Sequence, residues 1–134
     1  MTDLELCRLA HKAMEKAYVP YSGFRVGAAL LTEDGKVYTG CNIENASYGA
    51  TNCAERTAIF KAVSEGERKF AAIAITGGHE GDDRNPCPPC GICRQVMGEF
   101  CSGDFRILLV KDHGNAYDAY TLEQLLPAGF VLEK

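Results

Sequence analysis

Two short segments, Cys53-Ala54-Glu55-Arg56 and Pro89-Cys90-Gly91-Ile92-Cys93, constrain this chain more than any other feature of it. Together they offer three thiols and a carboxylate from positions far apart in sequence, so the fold must bring two distant segments to one point. A catalytic zinc takes three protein ligands and keeps its fourth tetrahedral position for water, whereas a structural zinc is closed by four. With Cys53, Cys90 and Cys93 as ligands, Glu55 is left free to move protons. Cys-x-x-Cys alone also occurs in redox and structural-zinc proteins. Its combination with Cys-x-Glu is the specific signal.

Spacing leaves the second ligand pair open, because Cys87-Pro88-Pro89-Cys90 and Cys90-Gly91-Ile92-Cys93 are equally separated. Helix chemistry favours the latter. Pro88 and Pro89 remove two backbone N–H groups that could bond to sulfur, and a proline before Cys90 disfavours helix there. Cys90 to Cys93 can instead open a helix, whose unpaired N–H groups and positive dipole end stabilise thiolate. Cys87 is then a loop thiol. Three thiolates leave a divalent cation with a formal site charge of about -1, which weakens its Lewis acidity. Arg56, next to the site, is placed to donate hydrogen bonds to the sulfurs and offset that charge.

A length of 134 residues, with 46% hydrophobic and 24% charged residues, fits one globular domain over residues 1–134. Fourteen basic against 18 acidic residues and a net charge of -4 argue against nucleic acid as partner, since polyanion binding needs a clustered basic face. A small molecule is the expected substrate. Seven cysteines, several within apolar or helical patterns, argue against a disulfide framework and for reduced thiols in a cytoplasm. No uninterrupted apolar run approaches a membrane span, so no membrane partner is expected.

Thr2 and Glu5 form a capping box ahead of Leu6, Leu9, Ala10, Ala13, Met14 and Ala17, which predicts a helix over 3–17. Residues 25–31 and the alternating Val37, Thr39, Cys41, Ile43 flank an Asp34-Gly35 turn and read as a hairpin. The polar stretch 42–52 reads as a binding loop. Ala54, Ala58, Ile59, Ala62 and Val63 predict a helix from Cys53 that stops at Gly66 with a left-handed cap. Strands are expected over 70–76 and 105–111, a loop over 77–89, a helix over 90–100, a turn at His113-Gly114-Asn115, and a short helix capped by Thr121 and Gln124 and ended by Pro127. This order predicts an α/β fold: three α/β/α layers around a central mixed sheet of about five strands, with both ligand segments at the starts of crossover helices.

Asn42 and Glu44 alternate with Ile43, so an extended backbone projects an amide and a carboxylate to one side, a pair suited to a hydroxylated group such as ribose. Ordinary loop polarity accounts for the same two residues. Phe24 and Phe130 are either core residues or flank a flat heterocycle. His11, His79 and His113 read as surface or loop histidines, and Cys7, Cys41 and Cys101 as buried small hydrophobes.

Four runs carry a family resemblance: residues 20–29 (PYSGFRVGAA), 40–48 (GCNIENASY), 53–58 (CAERTA) and 89–96 (PCGICRQV). With Leu125-Leu126-Pro127 they span nearly the whole chain, which resembles the small homotetrameric zinc-dependent cytidine deaminases. The resemblance implies hydrolytic deamination of cytidine and deoxycytidine to uridine and deoxyuridine in pyrimidine salvage, with one Zn2+ per subunit. It assigns Cys53, Cys90 and Cys93 to the metal, Glu55 to proton transfer and Arg56 to the thiolates. It further implies that Asn42 and Glu44 contact the ribose 3′-hydroxyl, that Phe24 lies against the base, and that main-chain groups near Ala54 read the pyrimidine edge. Tyr48 and Phe130 would cover a neighbouring subunit's pocket, although Ala128-Gly129-Phe130 departs from the family's usual tail spacing and Gly23 replaces a residue that is often charged. A blasticidin-type nucleoside deaminase is the alternative; Asn42-Ile43-Glu44-Asn45 favours cytidine.

Overall fold

A computed structural model describes residues 1–134. Helix α1 (Asp3–Ala13) opens with the expected capping box: the Glu5 N–H donates to the Thr2 hydroxyl and the Thr2 N–H to the Glu5 carboxylate. Its apolar pattern runs on to Ala17, yet the α-helix stops at Ala13 and a single 3-10 turn, Met14–Lys16, follows. The cause is tertiary. Tyr18 is drawn into a bridge with Ile43, its N–H donating to the Asn42 carbonyl, so the chain must straighten early.

Strands β1 (Phe24–Thr32) and β2 (Val37–Cys41) form the hairpin, with Gly35 at φ +93 in the turn. Helix α2 (Ala54–Ser64) leads through Gly66, also at positive φ, to β3 (Phe70–His79). Helix α3 (Gly91–Phe100), β4 (Arg106–Lys111), β5 (Ala116–Thr121) and the short α4 (Leu122–Leu125) complete the order. The sheet runs β2-β1-β3-β4-β5, with only the β3–β4 pair parallel.

Alternation along the three central strands divides the core into two layers. Ala28, Leu30, Ile73, Ile75, Ile107 and Leu109 face α2, α3 and α4, while Ala29, Ala72, Ala74, Leu108 and Val110 face α1. Burying one such branched side chain contributes about 1.5–3 kcal/mol, so the sheet is held from both faces. The result is the expected α/β/α arrangement.

Two local expectations need correction. The run 77–89 is not loop throughout, because β3 continues through Gly77, Gly78 and His79 against Val26, Arg25 and Phe24. Those glycines mark close packing: a Cβ on Gly78 would lie 1.6 Å from the Asp82 carbonyl oxygen. The other miss is β5, which carries few buried side chains and so lacks the alternation that reveals a strand. Its edge position explains the weak signal.

Gly40 sets how closely α2 approaches the sheet. A Cβ there would lie 2.5 Å from the Ala58 nitrogen and 2.6 Å from the Ala54 carbonyl oxygen. Gly40→Ala is therefore expected to destabilise the protein by about 1–3 kcal/mol through overpacking, read as a lower chemical-denaturation midpoint. Gly49→Ala, with nothing within 4 Å, should leave that midpoint nearly unchanged.

Candidate metal centre

Cys53 and Cys90 occupy equivalent places, each the N-cap of a helix that follows a strand. Both have extended backbones, φ -74 and ψ 154 at Cys53 and φ -68 and ψ 168 at Cys90. The Cys90 sulfur accepts from the Cys93 N–H at 3.5 Å, as a capping side chain does. Cys93 lies one turn into α3 and is fully buried. The three sulfurs stand within 4.8 Å of one another, and Cys53 Sγ is 3.7 Å from Cys90 Sγ. Three soft thiolate donors around one point, with no fourth Cys, His or carboxylate in the group, suit a zinc whose fourth position is not closed by protein.

Arg56 closes one side. Its Nη2 donates to Cys53 Sγ at 3.3 Å, and its Nε is buried without a hydrogen-bond partner. A Cys93 hydrogen bond first, then Arg56 and Cys90, hold the Cys53 thiol down to about 5 against the opposing effect of burial. The Cys93 thiol moves up, because it shares its proton with Cys53 and is itself buried. Within the cluster the proton is drawn away from Cys53 and toward Cys93. Glu55, only 4% exposed, has its carboxyl pushed up to about 7 by burial, with the Cys53 thiolate adding to the rise and Cys93 and Arg56 opposing it.

Cys87 stands outside the three-sulfur group. Its sulfur packs against β3, where a Cβ on Gly77 would lie 3.0 Å away. Burial pushes its thiol up to about 12, with Glu55 and Cys53 adding to the rise. Position and not protonation separates it from Cys93, whose sulfur does stand with those of Cys53 and Cys90.

Ile43 pairs with Asn52 through two backbone hydrogen bonds of 3.0 Å, which lays the 42–44 segment beside the approach to Cys53. The Asn42 amide is largely used by β1: its Oδ1 accepts from the Val26 N–H and its Nδ2 donates to the Phe24 carbonyl, both at 2.9 Å. Glu44 Oε1 accepts from the Tyr21 and Ser22 N–H groups at 3.0 and 3.1 Å, and Oε2 accepts from the Ser22 hydroxyl. Those bonds, the Ser22 hydroxyl first, hold the Glu44 carboxyl below its ordinary range. Sequence reading did not single out Ser22, because a serine in a Tyr-Ser-Gly turn carries no mark of what it holds.

Phe24 packs edge-on against His79, ring centroids 5.1 Å apart, and touches the space above Gly77. Ala54 is fully buried at the first position of α2, where backbone N–H groups lack partners within the helix. Tyr48 and Phe130 are 79% and 67% exposed, so Phe130 is no core residue. Tyr48 meets Tyr21 edge-on and shares an open cleft with Ser22, Glu44 and Thr51. Phe130 lies elsewhere, its carbonyl accepting from Gln95 Nε2 on α3. Of the cysteines read as buried hydrophobes, Cys7 is buried while Cys41 and Cys101 are only half-buried. His113 is exposed in a turn, as a surface or loop reading expects, and His11 is half-exposed on α1, yet both lie against the buried Asp83.

Three thiols gathered at two helix starts, beside a buried carboxylate outside their group, fit the zinc-dependent deaminase class of site. Residues 1–109 match the family model for the cytidine and deoxycytidylate deaminase zinc-binding region. A cytidine deaminase of Sporosarcina psychrophila is 55% identical over 122 residues, covering 91% of this chain and 86% of its own. One of Halalkalibacterium halodurans is 54% identical over 128 residues, covering 96% and 93%. The solved cytidine deaminase of Burkholderia pseudomallei superposes with a TM-score of 0.88 at 49% identity, covering 97% of this chain and all of that one. The Mycobacterium tuberculosis enzyme gives 0.80 at 41%, covering 98% and 100%. The chain belongs to the zinc-binding cytidine and deoxycytidylate deaminase family.

Metal analysis is expected to give one zinc per chain, kept by Cys87→Ala and lost by Cys93→Ala. Because the Cys93 thiol is held protonated without a cation, zinc loading of the metal-free protein should release protons, and affinity should fall as pH is lowered. Calorimetry in buffers of different ionisation enthalpy measures that release. Zinc retention by Cys93→Ala with loss in Cys87→Ala would exchange their roles.

Proposed function

We propose that this chain deaminates cytidine and deoxycytidine, consuming water and releasing ammonia with uridine or deoxyuridine. The observation that carries it is Glu55, buried beside a three-thiol cluster and outside the metal-ligand set. In this reading Cys53, Cys90 and Cys93 hold zinc, and residues 1–134 act as one catalytic domain. Bound zinc supplies Lewis acidity that lets water act as a nucleophile near neutral pH. Glu55 takes a proton from the attacking water, passes it to the pyrimidine ring nitrogen, and serves again as the leaving amine departs. Burial supports this role by disfavouring its charged form, so that it is poised to give a proton as well as to take one. Arg56 disperses charge on the sulfurs.

The sugar is assigned to Asn42 and Glu44 by counting what their bonds leave over. An ionised carboxylate has about four lone-pair sites, and Glu44 uses three on Tyr21 and Ser22. Asn42 keeps one of its two N–H donors after bonding the Phe24 carbonyl. The site left on Glu44, with one N–H and one Oδ1 lone pair left on Asn42, can bond a sugar hydroxyl, which the family resemblance makes the ribose 3′-hydroxyl. Phe24 lies against the base and the Ala54 N–H meets its edge. Tyr48 and Phe130, exposed in the single chain, cover the pocket of a neighbouring subunit in a homotetramer. No helix is long and apolar enough to cross a membrane, and a cytoplasmic place in pyrimidine salvage fits a nucleoside substrate.

Glu55→Gln should retain zinc and lose at least about 10² to 10⁴ in turnover, the usual effect of removing a proton shuttle. Arg56→Gln should lose less. Loss of cytidine absorbance beside metal analysis reads both, with blasticidin S as the comparison substrate on which wild-type turnover should be poor. Full activity in Glu55→Gln would end this assignment.

A further inference from the structure

The connection from β3 to α3 carries Cys90, and it is anchored by a residue for which the chemistry above has no use. Asp83 is fully buried, 0% exposed, although it is a carboxylate in a connecting segment. Three separate elements meet it. Thr76 Oγ1 on β3 donates to Oδ2 at 2.5 Å, and His11 Nδ1 on α1 lies 2.6 Å from the same oxygen. His113 Nδ1, in the turn after β4, lies 3.2 Å from Oδ1, which has no aligned hydrogen bond. To bond a carboxylate, His11 must carry its proton on Nδ1.

The backbone around Asp83 is held in costly shapes. Glu80, Asp112 and His113 have φ of 54, 52 and 55, three of the four non-glycine residues in left-handed conformation. Such conformations persist where surrounding contacts over-determine them. Beside Asp83, the Arg84 carbonyl accepts from the Asp112 N–H at 3.1 Å. From there the chain reads Asn85-Pro86-Cys87-Pro88-Pro89 up to Cys90, and its three prolines fix φ and stiffen it. The far end is tied as well, since Arg94 Nε donates to the Pro89 carbonyl at 2.8 Å. A stiff segment clamped at both ends transmits the position of one end to the other.

We propose that Asp83, gripped by His11, Thr76 and His113, is a positioning residue that sets where the Cys90 sulfur stands relative to Cys53 and thereby controls how firmly the site retains zinc. This rests on the assignment of Cys53, Cys90 and Cys93 as zinc ligands. Asp83 acts through the proline segment and touches neither metal nor substrate.

The test measures zinc transfer from the intact protein to a chromogenic chelator, and the thiolate-to-metal charge-transfer absorption of the cobalt-substituted form. Asp83→Asn should release zinc about 10-fold faster, the lower end of what loss of outer-shell support does, and should shift the cobalt band. His113→Gly, which accepts the left-handed backbone without strain, should do the same to a smaller degree and decides the matter if Asp83→Asn does not fold. Phe70→Leu, a core change at the start of β3 where the ring packs against Phe100 at the end of α3 away from Cys90, should lower thermal stability while leaving release rate and cobalt spectrum at wild-type values. Wild-type release and spectrum in the folded Asp83 variant, or equal acceleration in Phe70→Leu, would overturn the positioning role alone. A wild-type chain that binds no zinc would overturn the deaminase reading and this inference with it.

Discussion

Two helix beginnings aimed at one point are the constraint on which the rest of this structure depends. Sulfur can bind a cation here only because α2 and α3 leave the sheet side by side, each opening on a cysteine. That placement is made by the packing beneath them. Ile73, Ile75, Ile107 and Leu109 supply the surface on which both helices rest, and Gly40 lets α2 descend onto β2. A bulkier residue at position 40 would lift the helix that carries Cys53, Glu55 and Arg56 together, so the geometry of the centre and the packing of the sheet are one problem.

Charge is the second constraint, and it acts against the first. Three thiolates and a carboxylate gathered within a partly buried region repel one another. The shifts show how the protein apportions the strain: Cys53 takes the low value, helped by Arg56, while Cys93 and Glu55 move up and hold their protons. A divalent cation reverses that order for the thiols, since coordination favours thiolate outright. Glu55 lies outside the ligand group, and burial is the main cause of its upward shift.

What could be read from the sequence is what rests on local spacing. The capping boxes at Thr2 and Thr121, the helices that open on Cys53 and Cys90, the hairpin turn at Gly35 and the grouping of Cys93, not Cys87, with Cys90 all follow from residues within a few positions of one another. What could not be read depends on distant partners. His11 and His113 look like surface histidines because their common partner, Asp83, is 72 residues from the first and sits among charged, glycine-rich neighbours that mark a loop. Gly77 and Gly78 suggest a loop for the same reason, although their missing side chains are what allow β3 to pass beneath Cys87 and Asp82. Strand β5 escapes because an edge strand buries too little to show a period.

The segment 42–52 shows how spacing can single out polar residues while the use of their hydrogen bonds stays hidden. Asn42 and Glu44 were expected to reach outward from an extended segment, yet most of their hydrogen-bonding capacity is turned inward, onto Phe24, Val26, Tyr21 and Ser22. Those bonds remove the rotamer freedom that a ligand would otherwise have to quench on binding, a cost of about 0.5–1.5 kcal/mol per mobile side chain. They also limit what the pair can recognise. One N–H of Asn42 is left to donate, and about one lone pair on each residue is left to accept, so the pair can engage few sugar hydroxyls at once. On the proposed binding mode, a pocket built this way reads the position common to ribose and deoxyribose, and it ties the sugar directly to the strand edge that carries Phe24 beneath the base.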